Sequence, residues 1–398
     1  MKRLRPSLAG WHSEKSYEFL THPVSSAILL AATLMALVLV LRKASTVPVM
    51  VLQLDSTPHG YVQQLQALVE KQRQELLYQA KHPRVVFRCL DDEPKIWYPK
   101  RASDNLTKTL IATDDKCDGD GRLDAVVIVH TAAGNFRRRS QFRKAYSDYK
   151  ATEPYRLKVV FLIGHVRKAD LQIKLEQENR RYGDTLIGEF LDTYQNLTLK
   201  AVMGYRWVAE KCKDFPLLIK MDDDVLLDVQ KFFDTFWTTR EPSRKINTIF
   251  CNFWLGATVD RTGKWKVERG LFRNESYSFP YCSGFFVLVT PDLVRPMYEA
   301  AKRLDFFWID DVFLYGMVPA AIKNVRFAQL GGKKTKLITT DARSVKKRLQ
   351  KEGLSSETWA FLTLNEKEFD ENYAFLQRLK TEKLLNETMA RNTSIQTK

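Results

Sequence analysis

Between Leu123 and Met221, short apolar runs alternate with helix-forming stretches, and this alternation limits the fold more than any other property of the chain. Ala125-Val126-Val127-Ile128-Val129 and, after its leading lysine, Lys158 to Ile163 are apolar and rich in β-branched residues, as expected of buried strands. Helices are predicted over Arg137 to Tyr149, Ala169 to Tyr182 and Thr198 to Lys211, followed by a further strand over Leu217 to Met221. Such alternation implies an α/β domain with a mostly parallel sheet covered on both faces. Ligands of open sheets of this kind bind at the carboxyl ends of the strands.

One of those ends carries Asp222-Asp223-Asp224, after which the chain resumes as Val225-Leu226-Leu227. Three adjacent carboxylates repel one another, and each is costly to desolvate. A divalent cation relieves both penalties, and Mg²⁺ or Mn²⁺ takes carboxylate oxygens while sharing its site with substrate phosphates. The competing reading is a solvated acidic turn between two strands. The apolar flanks favour the metal site.

The 398 residues suffice for one large or two medium domains. The formal net charge of +16 raises the question of nucleic acid. The basic residues are dispersed, though, and no zinc-finger, RNA-recognition or basic-zipper pattern accompanies them, so no nucleic-acid partner is expected. Solvated faces, anionic substrates or membrane surfaces account for the charge. Val24 to Leu41 is an uninterrupted run of 18 residues without charge, Pro or Gly. As a helix it would span ~27 Å, near the thickness of a bilayer core. Arg42-Lys43 follow it where a signal peptide would have a cleavage site. The basic tail before it predicts a cytoplasmic N-terminus and a single-pass type II protein with its mass in the lumen. Sequons at Asn105, Asn196, Asn274, Asn386 and Asn392 all follow the run, as do all five cysteines. One or two disulfides are compatible with that compartment, and the odd count leaves at least one cysteine unpaired within the chain.

The expected organisation is a tail (1–23), a transmembrane anchor (24–41), a stem and lead-in (42–121), a catalytic domain (122–340) and a charged, peripheral helical extension (341–398). Tyr61 to Lys81 has helical apolar spacing; homodimerisation through this stem and an isolated solvated helix are its two readings.

Six segments, in order, resemble the β-1,3-glycosyltransferase family, which includes β-1,3-galactosyltransferases, β-1,3-N-acetylglucosaminyltransferases and, more distantly, Fringe. They are Arg138-Arg139-Ser140-Gln141-Phe142-Arg143-Lys144-Ala145-Tyr146, Phe161-Leu162-Ile163-Gly164, and Glu178 to Asp184 continued by Glu189 to Lys200. Then come Lys220-Met221-Asp222-Asp223-Asp224-Val225, Phe279 to Phe286, and Ile309-Asp310-Asp311-Val312-Phe313-Leu314-Tyr315-Gly316. The match departs from the family pattern at Ala145-Tyr146, which stand in place of Thr-Trp. The resemblance implies a GT-A-type nucleotide-sugar transferase fold behind a single N-terminal transmembrane helix, and a place in the Golgi membrane. It also implies a UDP-sugar donor, Mn²⁺ or Mg²⁺, a glycan of a glycoprotein or glycolipid as acceptor, and inversion at the anomeric carbon.

Inversion by direct displacement needs one general base on the acceptor hydroxyl. Asp311 is the first choice and Asp310 the second, against the alternative that the pair merely opens a helix. Asp224 is expected to ligate the metal and Asp222 to assist, while Asp223 points to the opposite face and supports. Arg139, Arg143, Asp184, Asp223 and Lys220 are candidate donor contacts, with structural salt bridges the alternative for the arginines. Gly284, Phe285 and Trp308 are candidates for lining the acceptor and donor pocket. Galactose is the first-choice donor sugar, ahead of N-acetylglucosamine and N-acetylgalactosamine. A non-catalytic chaperone or lectin of the same fold is the alternative class.

Overall fold

The computed structural model describes residues 84–86, 109–111, 117 and 122–396, apart from 273 and 333–335, all within one compact unit, Leu76–Lys398. The strands are β1 (Arg84–Val86), β2 (Thr109–Ile111), β3 (Ala125–His130), β4 (Leu157–His165), β5 (Thr185–Leu191), β6 (Leu218–Asp222), β7 (Val225–Leu227), β8 (Thr248–Trp254), β9 (Tyr281–Val289), β10 (Arg326–Gln329), β11 (Ile338–Thr339) and β12 (Ala360–Leu362). The principal helices are α1 (Phe136–Phe142), α2 (Ala169–Tyr182), α3 (Leu197–Lys211), α4 (Pro291–Ala301), α5 (Asp310–Val312), α6 (Ala342–Glu352) and α7 (Glu366–Gln396).

A nine-stranded sheet runs in the order β1-β10-β8-β9-β6-β3-β4-β5-β2. Parallel pairing joins β6, β3, β4 and β5, as the alternation requires. The expectation of a mostly parallel sheet needs correction, because β9 lies antiparallel to both β6 and β8, and β1 and β2 are antiparallel to their neighbours. The sheet is mixed. An apolar run such as Phe285 to Val289 shows that a strand is buried and says nothing about its direction.

Both faces are buried because the strands alternate between two cores. Val126 and Ile128 of β3 point to a core closed by α3 and α4 through Met203, Val208, Leu293 and Met297. Val127 and Val129 point to the other, with Phe142, Phe161, Ile219 and Met221. Each such buried aliphatic side chain contributes roughly 1.5–3 kcal/mol relative to exposure. Disulfides Cys117–Cys212 and Cys251–Cys282 fasten the first core.

The extension after Thr340 is not peripheral. Val345, Leu349, Trp359, Phe361, Phe369 and Leu376 belong to the second core, and β12 pairs antiparallel with β7 in a three-stranded sheet. The acidic triplet therefore lies at the junction where β6 of the large sheet hands the chain to β7 of the small one.

The expected anchor, 24–41, lies outside the described residues, as do the stem helix 61–81, Cys89 and Asn105. No helix among the described residues is long and apolar enough to cross a membrane. The longest, α7, has 31 residues but carries charges along most of its length. The transmembrane fold description, the single-pass type II topology and the Golgi membrane placement thus have no helix behind them among the described residues and are not carried further. Of the remaining sequons, Asn274 and Asn386 are exposed, and Asn392 lies on α7. Asn196 is half-buried, with its amide donating to Leu191 O at 2.8 Å.

Candidate active site

Along β6 the residues alternate, so Lys220 and Asp222 share the face of Leu218 while Ile219 and Met221 enter the second core. Lys220 is buried and reaches Asp222 Oδ1 at 2.7 Å. Its ammonium also donates to Gly284 O on β9. Burial works against the charge of Lys220, but Asp222, Asp310 and Asp311 outweigh it and raise its pKa. One buried cation thus holds two acidic motifs, 88 positions apart between Asp222 and Asp310 in sequence, in one place.

Asp310 and Asp311 open α5, whose chain continues as a π-helical turn over Phe313–Met317. Gly284 makes room for Asp311: a Cβ there would lie 1.8 Å from Asp311 Oδ1. Burial pushes the Asp311 carboxyl up to about 8, reinforced by Asp310 and only partly countered by Lys220 and a hydrogen bond from the Gly284 backbone. Burial also raises Asp310. Two carboxyls this close titrate as a pair. His130, the last residue of β3 and in register with Asp222, places Nδ1 3.7 Å from Asp310 Oδ2. Burial, with Lys220 and Lys200, holds His130 well below its usual pKa, so the imidazole is neutral; its Nε2 has no partner.

The triplet itself divides into unlike parts. Asp223 is buried and pinned by Thr131 Oγ1 at 2.6 Å and Asn135 Nδ2 at 2.7 Å, with Arg138 3.8 Å away. Asp224 accepts from Thr363 through its backbone carbonyl, but its buried carboxylate Oδ1 has no partner. Burial, then the charges of Asp222 and Asp223, push the Asp224 carboxyl up to about 6. An orphaned carboxylate oxygen beside another carboxylate is the donor a hard divalent ion takes. Among the described residues no group of three or more His, Cys, Asp or Glu is arranged to hold a metal alone. A cation here would depend on Asp224 and Asp222, with water and phosphate oxygens completing its shell.

The other expected donor contacts form a separate network. Arg139 is fully buried. Its Nε and Nη2 grip Glu178 at 2.8–3.1 Å, while Nη1 and Nη2 donate to Ala132 O and Ala133 O. With a longer contact to Thr131 Oγ1, all five N–H groups are engaged, so Arg139 fixes the loop after β3. Arg143 makes a bidentate pair with Asp184 at 2.7 and 2.8 Å and a third bond to Glu178. Gly183, at φ +59°, ends α2 in the left-handed conformation and turns the chain toward that pair. Lys200 completes the clamp, holding Asp192 at 2.6 Å and Thr131 O at 2.7 Å.

Phe285, a candidate for the pocket wall, packs into the second core. Trp308 is half-buried beside Tyr194, with ring centroids 6.3 Å apart. The residues that sequence reasoning missed are His130, Thr131, Asn135, Asp192 and Lys200. Each sits at or near the carboxyl end of a parallel strand or packs against such an end, which is the signal that could have found them.

The site thus lies in a mixed α/β sheet with carboxylates gathered at its strand ends. A galactosyltransferase family model matches residues 137–326. Beta-1,3-galactosyltransferase 1 of Mus musculus is 26% identical over 208 residues, covering 52% of this chain and 62% of that protein. UDP-GlcNAc:betaGal beta-1,3-N-acetylglucosaminyltransferase 7 of Rattus norvegicus is 28% identical over 219 residues, covering 52% of each. Residues 137–326 thus belong to the galactosyltransferase family, at the level of the family and of no one member, and are similar to its β-1,3 transferases. The chain's match spans less than two thirds of those relatives. A crystal structure of the galactosyltransferase LgtC with donor and acceptor sugar analogs covers 63% of this chain and 95% of its own at 10% identity, with a TM-score of 0.34, too low to carry an argument.

Proposed function

We propose that this protein transfers a hexose from a UDP-sugar to a hydroxyl of a glycan acceptor, with inversion and formation of a β-1,3 linkage. The observation that carries the reading is the convergence of Asp222 with Asp310 and Asp311 on Lys220 and Gly284, beside the unpartnered Asp224, in the segment that matches the family. Asp311 is the general base. Burial makes its carboxylate more basic than a solvent-exposed one, which suits proton abstraction from a sugar hydroxyl. Asp310 reinforces that basicity, and Lys220 keeps the pair in place without occupying the acceptor side.

Mn²⁺ or Mg²⁺ held by Asp224 and Asp222 would neutralise the charge that develops on the departing UDP. Asp223, tied to Thr131 and Asn135, fixes the turn that presents both neighbours. Arg139 and Lys200 hold the loop after β3, where the nucleotide would lie, and Arg143 braces Glu178 behind Arg139. Galactose is the favoured sugar because both the family model and the mouse relative carry that name; N-acetylglucosamine, named in the rat relative, is the alternative, and N-acetylgalactosamine is a further one.

The test is incubation of the purified chain with UDP-galactose, UDP-N-acetylglucosamine and UDP-N-acetylgalactosamine, Mn²⁺ and a panel of glycan acceptors. Transfer from one donor, abolished by chelation, is expected. A folded protein that neither transfers nor hydrolyses any of the donors would overturn the reading.

A further inference from the structure

An aromatic cluster stands next to the carboxylates, and the chemistry so far does not use it. Tyr194 and Trp265 are 44% and 49% exposed, unusual for side chains of this size. They are nonetheless ordered against each other, since the Trp265 indole N–H donates to Tyr194 Oη at 2.9 Å. Lys264 sets its ammonium 4.3 Å from the Tyr194 ring centre and 5.4 Å from that of Trp265. Trp308 adds a third ring beside Tyr194, and it precedes Asp310 by two residues.

Three separate segments supply these rings, and each is braced. Tyr194 begins a short helical turn ahead of α3. Thr198 of α3 donates to Phe307 O at 2.7 Å, which ties that turn to the segment bearing Trp308. The loop bearing Lys264 and Trp265 closes on itself through Val267 N to Asp260 O, and the Arg261 guanidinium bonds the carbonyls of Glu268 and Leu271. A floor of Phe272, Tyr277, Phe279 and Phe307 supports it.

We infer that Tyr194, Lys264, Trp265 and Trp308 form an acceptor subsite that stacks the sugar ring next to the one bearing the attacking hydroxyl. The inference rests on the transferase reading above and specifies its substrate class: an acceptor of at least two sugars. A pyranose offers an apolar C–H face and a rim of hydroxyls. The platform offers aromatic surface for the C–H face, with the Tyr194 phenol and the Lys264 ammonium, which lies over the Tyr194 ring, to meet the hydroxyls, so both parts of the sugar are matched. Because the rings are held before any ligand arrives, little ordering entropy opposes binding. The adjacency of Trp308 to Asp310 selects the acceptor over the donor nucleotide as the occupant.

The test compares wild type with Trp265→Ala, Tyr194→Ala and Trp265→Phe, using free mono- and disaccharide acceptors in a binding assay and in transfer kinetics. For Trp265→Ala, disaccharide affinity should fall about tenfold or more, with the acceptor KM rising and the donor KM unmoved. Monosaccharide binding should be unaffected, and Trp265→Phe should retain most of the affinity. An unchanged melting temperature separates this from misfolding. Equal disaccharide binding by wild type and Trp265→Ala would overturn the subsite even in an active transferase. Loss of that binding in a protein that transfers no sugar would instead overturn the transferase reading and leave a glycan-binding platform.

Discussion

Two charged networks lie within one sheet's strand ends, and they have opposite character. In the first, Arg139, Arg143, Glu178 and Asp184 satisfy one another almost completely, with every Arg139 donor engaged. In the second, Asp222, Asp310 and Asp311 crowd around a single lysine, Asp224 lies against Asp222, and Asp224 Oδ1 and His130 Nε2 have no partners. Satisfied charges hold a loop in shape. Unsatisfied ones store a demand that a ligand can meet.

Breaking the satisfied network should have the largest effect on folding. Arg139→Met leaves Glu178 buried with only Arg143, and removing one partner of a buried pair costs about 3–5 kcal/mol. Chemical denaturation of the variant would show it as a lower midpoint with an unchanged slope. Gly284→Ala probes the second network. The new Cβ displaces Asp311, so stability should fall by only about 1–3 kcal/mol, while transfer falls about 100-fold, as misplacements near 1 Å do. A variant that loses stability and keeps its rate would show that Asp311 has room to spare.

Asp224→Asn should cost little stability and abolish the rise in melting temperature that Mn²⁺ gives the wild type, as measured by thermal shift. A rise equal to that of wild type would move the cation elsewhere. The smallest expected effect is on the pH dependence of the metal-free protein. Asp224 and Asp311 have an ordinary value of 3.8 and are raised to about 6 and about 8 by folding. The folded state therefore binds more protons than the unfolded state between these values. Stability from this source is complete below about pH 4 and is lost as pH rises through 6 to 8. Asp311→Asn should flatten the upper part of that decline in melting curves taken across the range.

The two networks also differ in how far the sequence reveals them. The runs that form β3, β4 and β6 and the pattern of α2 were plain, because burial on both faces demands continuous apolar residues. The acidic triplet at the end of β6 followed from that. The antiparallel insertion of β9 did not, since strand direction leaves no trace in an apolar run. Charged helical patterns after Thr340 concealed Trp359, Phe361 and Phe369, the residues that complete the second core. For Arg139 and Arg143, spacing placed both one turn apart on the first predicted helix, but a ligand and a buried glutamate are equally good partners at that spacing. Only the position of Glu178 on α2 decides between them. No metal pattern surrounds His130 in sequence; only the pairing of β3 with β6 brings it beside Asp222.

The chemistry assigned to the crowded carboxylates meets its most direct test in Asp311→Asn. Single-turnover transfer from the preferred UDP-sugar would be measured alongside thermal unfolding. The expected result is a loss of about 10²–10⁴-fold in rate, with a melting temperature at neutral pH close to that of wild type, since a carboxyl raised to about 8 is mostly uncharged there and the amide has its shape. Transfer at the wild-type rate, or a variant that loses activity only by unfolding, would contradict it.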